Sequence, residues 1–391
     1  MIKVLWLASW YPNAMNPLTG DFIKRQAEAV SSIIPVSVVF AGKYPDGIIP
    51  TNILHSGSDD RKYEKLEEHI LYYTAKSSLK VFNKWKAAMA YFKIHLKFIQ
   101  GLQKKNELPD LVHVHVAMKA GLIALYIKWK YKIPYILTEH WTGYYSDAND
   151  SLKKKSLLYR YFTRRIINNA IRFLPVSEDL GHYINKNWTP VSFQKIPNVV
   201  NTDLFYPSIK NIQSTFRFIH VSSLIDQKNP KGIVRSFIEL RKQNFDAELV
   251  MAGPVSVDLL DYISRNNSEK RIQCTGTISY EQVSMEIRKA SALILFSFYE
   301  NMPCVILEAL CAGIPVISTR VGGVPEVISN HNGILIEAGN EIELLEAMKK
   351  MMLNFSRFDR DQISRLATNQ FSYQTIGQQI TNVYRSALTG K

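Results

Sequence analysis

Only three cysteines occur among 391 residues, and Cys274, Cys304 and Cys311 are too few and too scattered for a disulfide framework or a metal knuckle. Each stands among apolar or small neighbours, so they read as small buried hydrophobes in a reducing compartment, which makes a cytoplasmic protein the expectation. Long apolar runs are also missing. The most hydrophobic stretches, Val4 to Trp10, Leu293 to Phe298 and Val305 to Leu310, fall short of the roughly 20 residues that cross a bilayer. The first of these is expected to be a buried strand, not a leader peptide, because Tyr11-Pro12-Asn13 is a turn and not a small-residue cleavage site. There is no repeat of solenoid period and no low-complexity tract. Acidic residues are the scarcer sign, 34 against 48 Lys and Arg.

What is present is a globular composition. With 46% hydrophobic and 21% charged residues, the whole chain is expected to fold, and its length suits two α/β domains. The excess positive charge is uneven. Residues 1–208 hold 28 Lys and Arg against 16 Asp and Glu, a net +12, and the remainder holds 20 against 18, a net +2. Such a field attracts nucleic acid, anionic lipid or an acidic ligand, and composition does not choose among them. Nucleic acid is not expected, because no aromatic sheet motif, recognition helix or zinc site accompanies the charge.

Short apolar runs alternate with longer amphipathic ones. Strands are expected at 3–8, 36–40, 111–115, 135–138 and 173–176, with helices at 21–33, 79–104, 119–129 and 156–170. In the second half strands are expected at 216–221, 247–252, 272–274, 292–296, 315–318 and 333–336. This alternation predicts two doubly wound parallel sheets that bind ligands beyond the carboxyl ends of their strands. Residues 197–214, rich in Pro, Asn, Asp and Ser, mark the boundary. They divide domain 1–208 from domain 209–372, and a last helix at 373–388 is expected to return to the first domain.

The strongest chemical signal is the run from Tyr299 to Val316. A loop carries Glu300, Pro303 stands where a helix can begin, and Gly313 ends that helix before Pro315 opens the next strand. The N–H groups of Cys304 to Ile306 would then be open to a diphosphate. Glu308 lies about one turn into an otherwise apolar helix, where a carboxylate needs a partner. The two hydroxyls of a ribose would suit it, as would an Arg or a neighbouring backbone; Glu300 alone could be a plain loop charge.

The whole phrase resembles the E-x7-E segment of the retaining GT-B glycosyltransferases, a family that includes sucrose synthases and bacterial mannosyl- and glucosyltransferases of surface glycans. The resemblance continues through Val321-Gly322-Gly323-Val324-Pro325-Glu326, similar to the family's GG-x-PE element, and ends at Ile336. Upstream, Pro197-Asn198-Val199-Val200-Asn201 resembles the family's PNGVD linker. The resemblance implies a GT-B fold of two Rossmann-like domains. It implies that Glu308 binds a nucleotide ribose and Glu300 a hydroxyl of the donor sugar, with the backbone of Asn301, Met302, Pro303 and Cys304 holding the sugar diphosphate. Lys228 matches the family's phosphate-binding Lys, while Ser223 stands where the family usually has Arg, leaving Lys228 and the helix N-terminus to neutralise more of the diphosphate. Gly253 and the pair Gly276 and Thr277 follow strands and fit a nucleotide pocket. In the first half, Gly20, with Asp21 as a helix cap, resembles the family's N-terminal Gly loop. His140 in Thr138-Glu139-His140 resembles a T-x-H motif whose His reaches the donor sugar. His113 and His115 share one strand face and read as structural, and the family needs no metal at the donor.

A basic face interleaved with aromatics runs through Lys76, Lys80, Lys84, Lys86, Lys93, Lys97, Lys104 and Lys105. Lys153 to Lys155 with Arg160, Arg164 and Arg165 form a second cluster. A solvated helix face is one reading, and peripheral docking on anionic lipid at the inner face of the membrane is the other. The expected reaction transfers a sugar from a nucleotide-diphosphate donor, the co-substrate, to a hydroxyl of a glycan or lipid-linked acceptor, with no further cofactor. The alternatives are a nucleotide-sugar epimerase or hydrolase of the same fold and a catalytically silent binding protein.

Overall fold

The first apolar run forms β1 (Val4–Ala8), every residue of which is buried, as a central strand covered on both faces must be. The computed structural model describes residues 2–44, 53–56, 65–74, 80–208, 215–266 and 270–389. Lys76, Leu79 and linker residues 209–214 lie outside these, as do the side chains of residues 80–82. The chain forms two units, unit 1 from residues 1–176, 180–197 and 373–391, and unit 2 from residues 177–179 and 198–372.

In unit 1, β1 is followed by α1 (Asp21–Ser31), β2 (Val36–Lys43), β3 (Ile53–Ser56), β4 (Leu66–Tyr73) and α2 (Lys80–Lys104). Then come β5 (Leu111–His115), α3 (Ala120–Tyr131), β6 (Tyr135–Glu139), α4 (Leu157–Asn169), β7 (Phe173–Pro175) and α5 (Glu178–Asn187), whose first two residues go with unit 2. The sheet order is β3-β4-β2-β1-β5-β6-β7. All pairs are parallel except β3 with β4, so the expectation of a purely parallel sheet fails at this edge. Neither β3 nor β4 shows in the apolar pattern, because β4 opens on Leu66-Glu67-Glu68-His69 and becomes apolar only at Ile70. Leu5, Leu7, Val112 and Val114 point into one core with α2, α3 and α4, and Trp6, His113 and His115 point to the other face.

Unit 2 contains β8 (Phe216–Val221), α6 (Pro230–Lys242), β9 (Ala247–Ala252), α7 (Val257–Asn266), β10 (Ile272–Gly276), α8 (Tyr280–Lys289) and β11 (Ala292–Leu295). It continues with α9 (Cys304–Cys311), β12 (Val316–Thr319), β13 (Gly333–Ile336), α10 (Glu341–Leu353) and α11 (Arg360–Phe371). Its all-parallel sheet has the order β10-β9-β8-β11-β12-β13. Residues 198–208 go with unit 2 because Val200 N donates to Phe371 O, Phe205 packs on Tyr280 and Asn198 donates to Met302 O. The last helix, α12 (Tyr373–Thr389), packs on α1, with Gly377 against the carbonyl of Ala29.

Candidate active site

After β11 the chain turns through Ser297 to Glu300 and enters α9 at Pro303. Two latches hold this turn against the single helical turn at Asp226–Lys228. Phe298 N donates to Gln227 O at 2.9 Å, and Gln227 Nε2 donates to Tyr299 O at 2.7 Å. A third bond, from Thr319 Oγ1 to Ser297 O at 2.7 Å, ties the turn to β12. With both loops fixed, Lys228 meets Glu300 in an ion pair, and Ser297 Oγ donates to the same carboxylate at 2.6 Å. Glu300 is only 5% exposed, so this pair works in a medium far less screened than water. Sequence reasoning gave Lys228 and Glu300 separate tasks; the fold makes them partners, and adds Ser297, which no motif singled out.

The glycine pair behind this turn has a packing reason. A Cβ on Gly322 would sit 2.1 Å from Glu300 O, and one on Gly323 would sit 2.7 Å from Asn301 O. Gly323 N donates to Asn301 O at 2.8 Å, so the Gly-Gly element forms the floor on which Glu300 and Asn301 rest. Asn301 is buried and accepts from Ser177 Oγ at 2.8 Å, and the buried Met302 offers its carbonyl to Asn198 at 2.7 Å. The expectation of three open amides at α9 requires correction. Ile306 N donates to Pro303 O at 3.2 Å in a tight first turn, so it is not open. Pro303 is the N-cap residue and Cys304 the first helical residue. Glu308, 4% exposed, accepts from Tyr280 Oη at 3.0 Å, a partner on α8 that sequence spacing could not supply.

The loop between β8 and Lys228 is set by a buried histidine. His220 Nδ1 lies 2.8 Å from Ile294 O; since a carbonyl only accepts, this nitrogen carries the proton. Nε2 then accepts from Ser222 Oγ at 2.7 Å, and Ser222 Oγ accepts from Leu224 N at 3.0 Å, which holds Leu224 at a left-handed φ of 53°. Burial lowers the His220 pKa to about 4, against the bond to Ile294, so the ring is neutral. Gly253 faces this loop. A Cβ there would lie 1.9 Å from Ser222 O, so its glycine serves close strand-end packing. Gly253 N bonds to Gly276 O at 3.0 Å, and beside them Ser223 and Thr277 are exposed.

In unit 1 the two sequence candidates converge. Gly20, at φ 72°, would place a Cβ 2.6 Å from the backbone of Trp10, and two residues later the Phe22 ring lies 4.8 Å from that of His140. Gly20 is itself the N-cap residue of α1. Asp21, expected to cap, is the first helical residue, bonded to Phe22 N and paired with Arg25 at 3.2 Å. His140 is positioned by its neighbour Glu139, a fully buried carboxylate that accepts from His140 N, Trp141 N, Ala117 N and Tyr144 Oη at 2.8–3.0 Å. Burial raises the Glu139 pKa, and these donors oppose the rise. His113 is satisfied at both ring nitrogens, by Tyr384 Oη and Thr138 Oγ1 at 2.7 Å each. His115 fits the structural reading less well: Nδ1 lies 3.5 Å from His140 Nε2, and Nε2 has no partner among the described residues.

Two family models match the chain in succession, Glycosyltransferase Family 4 over residues 56–204 and Glycosyl transferases group 1 over residues 206–368. Among solved structures, sucrose-phosphate synthase from Thermosynechococcus elongatus superposes with a TM-score of 0.76, at 18% identity over all of both chains. The chain belongs to the GT-B glycosyltransferases. Another member of this fold, Anabaena HepE in complex with UDP, superposes with a TM-score of 0.71 at 17% identity, over 98% of this chain and all of that one. A relative by sequence is the putative teichuronic acid biosynthesis glycosyltransferase TuaC of Bacillus subtilis. It is 24% identical over 97% of this chain and 94% of its own length. In this GT-B chain, Lys228, Glu300, Asn301 and Met302 are gathered on two latched loops of unit 2, while Gly20 and His140 lie in unit 1.

Proposed function

We propose that the protein is a retaining glycosyltransferase that moves a sugar from a nucleotide-diphosphate donor to a hydroxyl of a glycan or lipid-linked acceptor in bacterial surface polysaccharide or glycolipid synthesis. The observation that carries this reading is the ion pair of half-buried Lys228 with buried Glu300 beside the start of α9. Donor binding would exchange that internal pair for two ligand contacts. The Lys228 ammonium would take the diphosphate, whose negative charge grows as the glycosidic bond breaks, and Glu300 would accept from a sugar hydroxyl. Glu308 would accept from the ribose hydroxyls. His140 is proposed to serve the donor sugar and Gly20 its diphosphate, with Ser223, Gly253, Gly276, Thr277 and the backbone of residues 301–304 lining donor contacts. No metal is required by this scheme, because Lys228 and the helix N-terminus carry the compensating charge. The acceptor hydroxyl would attack on the face from which the diphosphate leaves and lose its proton to a donor phosphate oxygen, so the enzyme's share is positioning and electrostatics.

Supporting the class of donor, HepE structures were solved with UDP and with UDP-glucose, and TuaC is named for teichuronic acid biosynthesis. Peripheral placement at an anionic membrane is proposed from the +12 net charge of residues 1–208. The test combines a thermal-shift panel of nucleoside diphosphates with product analysis. A preferred base raises the melting point by mass action, equivalent to about 2.7 kcal/mol at a hundredfold excess over Kd. Glu300→Ala should cut turnover by more than about a hundredfold while keeping the fold. Wild-type turnover in that variant, or a free sugar released without acceptor, refutes the assignment.

A further inference from the structure

The helices α2, α3 and α4 form one layer on unit 1, α2 packing on α3 and α3 on α4. Together they hold eleven Lys and Arg and no Asp or Glu. Their solvent side is also unusually apolar. Trp85 and Met89, one turn apart on α2, are 62% and 52% exposed, and Trp129 on α3 is 71% exposed. On α4, Leu157, Leu158 and Tyr161 are 75%, 66% and 55% exposed. Lys84, Lys86, Lys93, Lys130, Lys153, Lys154, Arg164 and Arg165 are exposed around them. The two acids that precede α4, Asp147 and Asp150, are engaged by Ser146 Oγ and Trp141 Nε1.

We propose that this helical layer is a docking surface for an anionic lipid bilayer, with Leu157, Leu158, Trp129, Trp85 and Met89 entering the headgroup boundary and the cations meeting the headgroups. The inference rests on the charge asymmetry already noted, and names the surface and its anchors. Charge selects the occupant. A second copy of the chain would bring eleven cations against eleven with no anion to offset them, and nucleic acid or a purely polar acidic surface would leave the aliphatic pair on α4 without an apolar counterpart. A bilayer satisfies both, since interfacial helices combine Lys and Arg with Leu and Trp.

The experiment is co-sedimentation of the full chain with vesicles of phosphatidylcholine containing increasing phosphatidylglycerol, at low and high salt. Wild-type protein is expected to sediment with the anionic vesicles, to lose binding as salt rises, and to ignore pure phosphatidylcholine. The variant Leu157→Ser/Leu158→Ser should weaken partition at least tenfold, as should Lys153→Glu/Lys154→Glu. Leu353→Ser, an apolar residue 72% exposed on unit 2, should leave it unchanged. Absence of binding at low salt, or wild-type partition by the Leu157/Leu158 variant, overturns the proposal, as does concentration-dependent self-association that the same variant abolishes. Nucleoside-diphosphate binding is measured in parallel by thermal shift. Its retention with no vesicle binding defeats the docking surface alone; its loss with vesicle binding intact defeats the enzymatic reading alone.

Discussion

Glu300 and Lys228 show what burial does to a charge. With side-chain exposures of 7% and 17%, neither is well hydrated, so each depends on the other, and Glu300 also on Ser297. Removing one partner should cost more than removing both, because the survivor is left buried and unpaired. Lys228→Met is therefore expected to destabilise unit 2 by about 3 kcal/mol, and adding Glu300→Gln should recover at least about 1 kcal/mol of it while activity stays lost. Urea unfolding of the two single variants and the double variant gives the coupling directly; additive losses would show that the pair is not energetically linked. Sequence context singled out Glu300, Glu308 and Lys228 as candidates. Their protein partners Ser297 and Tyr280 were not legible there, since Ser297 lies in no recognisable phrase and Tyr280 comes from another helix.

The elements that frame the site divide into those set by local chemistry and those set by close approach. The start of α8 is local: Ser279 and Gln282 form a complete capping box, readable four residues at a time. Gly322 is the opposite case, since its φ of 51° and the 2.1 Å clearance to Glu300 O both forbid a side chain. Ser279→Ala should thus lower stability by about 1 kcal/mol and leave turnover near wild type, while Gly322→Ala should lower both by displacing the Glu300 turn. Turnover at wild-type levels in Gly322→Ala would mean that the turn can move without consequence. Strands with continuous apolar runs, such as β1, β8 and β11, were legible for the same local reason. The edge pair β3 and β4 was not, because its polar opening residues hide the strand period. The amide of Ile306 was misjudged because sequence does not reveal how tightly a first helical turn winds.

Across the whole molecule, burial of neutral histidines sets the acid response. Burial lowers the pKa of His95 and His220 to about 4 and moves those of His113 and His115 down as well, from the usual 6.5. An unfolded chain binds protons at these rings before the native one does, so their contribution is intact above about pH 6.5 and falls away as pH drops toward 4. The melting temperature should decline over that window. His220→Asn, which keeps a donor toward Ile294, should show a shallower decline by on the order of 1.4 kcal/mol per pH unit. Identical slopes would mean that His220 does not stay neutral in the fold. Sequence by itself determined the alternating α/β plan and the family, and it singled out the charged residues at 228, 300 and 308, because strand burial, helix periodicity and the E-x7-E phrase are written in consecutive residues. Only the tertiary structure decided that Lys228 meets Glu300, that Glu139 seats His140, and that three acid-free helices share one layer. The ion pair and the helical layer join residues far apart in sequence, and Glu139 can seat His140 only because Ala117 N and Tyr144 Oη, from other elements, share its carboxylate; local patterns carry no information about which distant side chain will desolvate which charge.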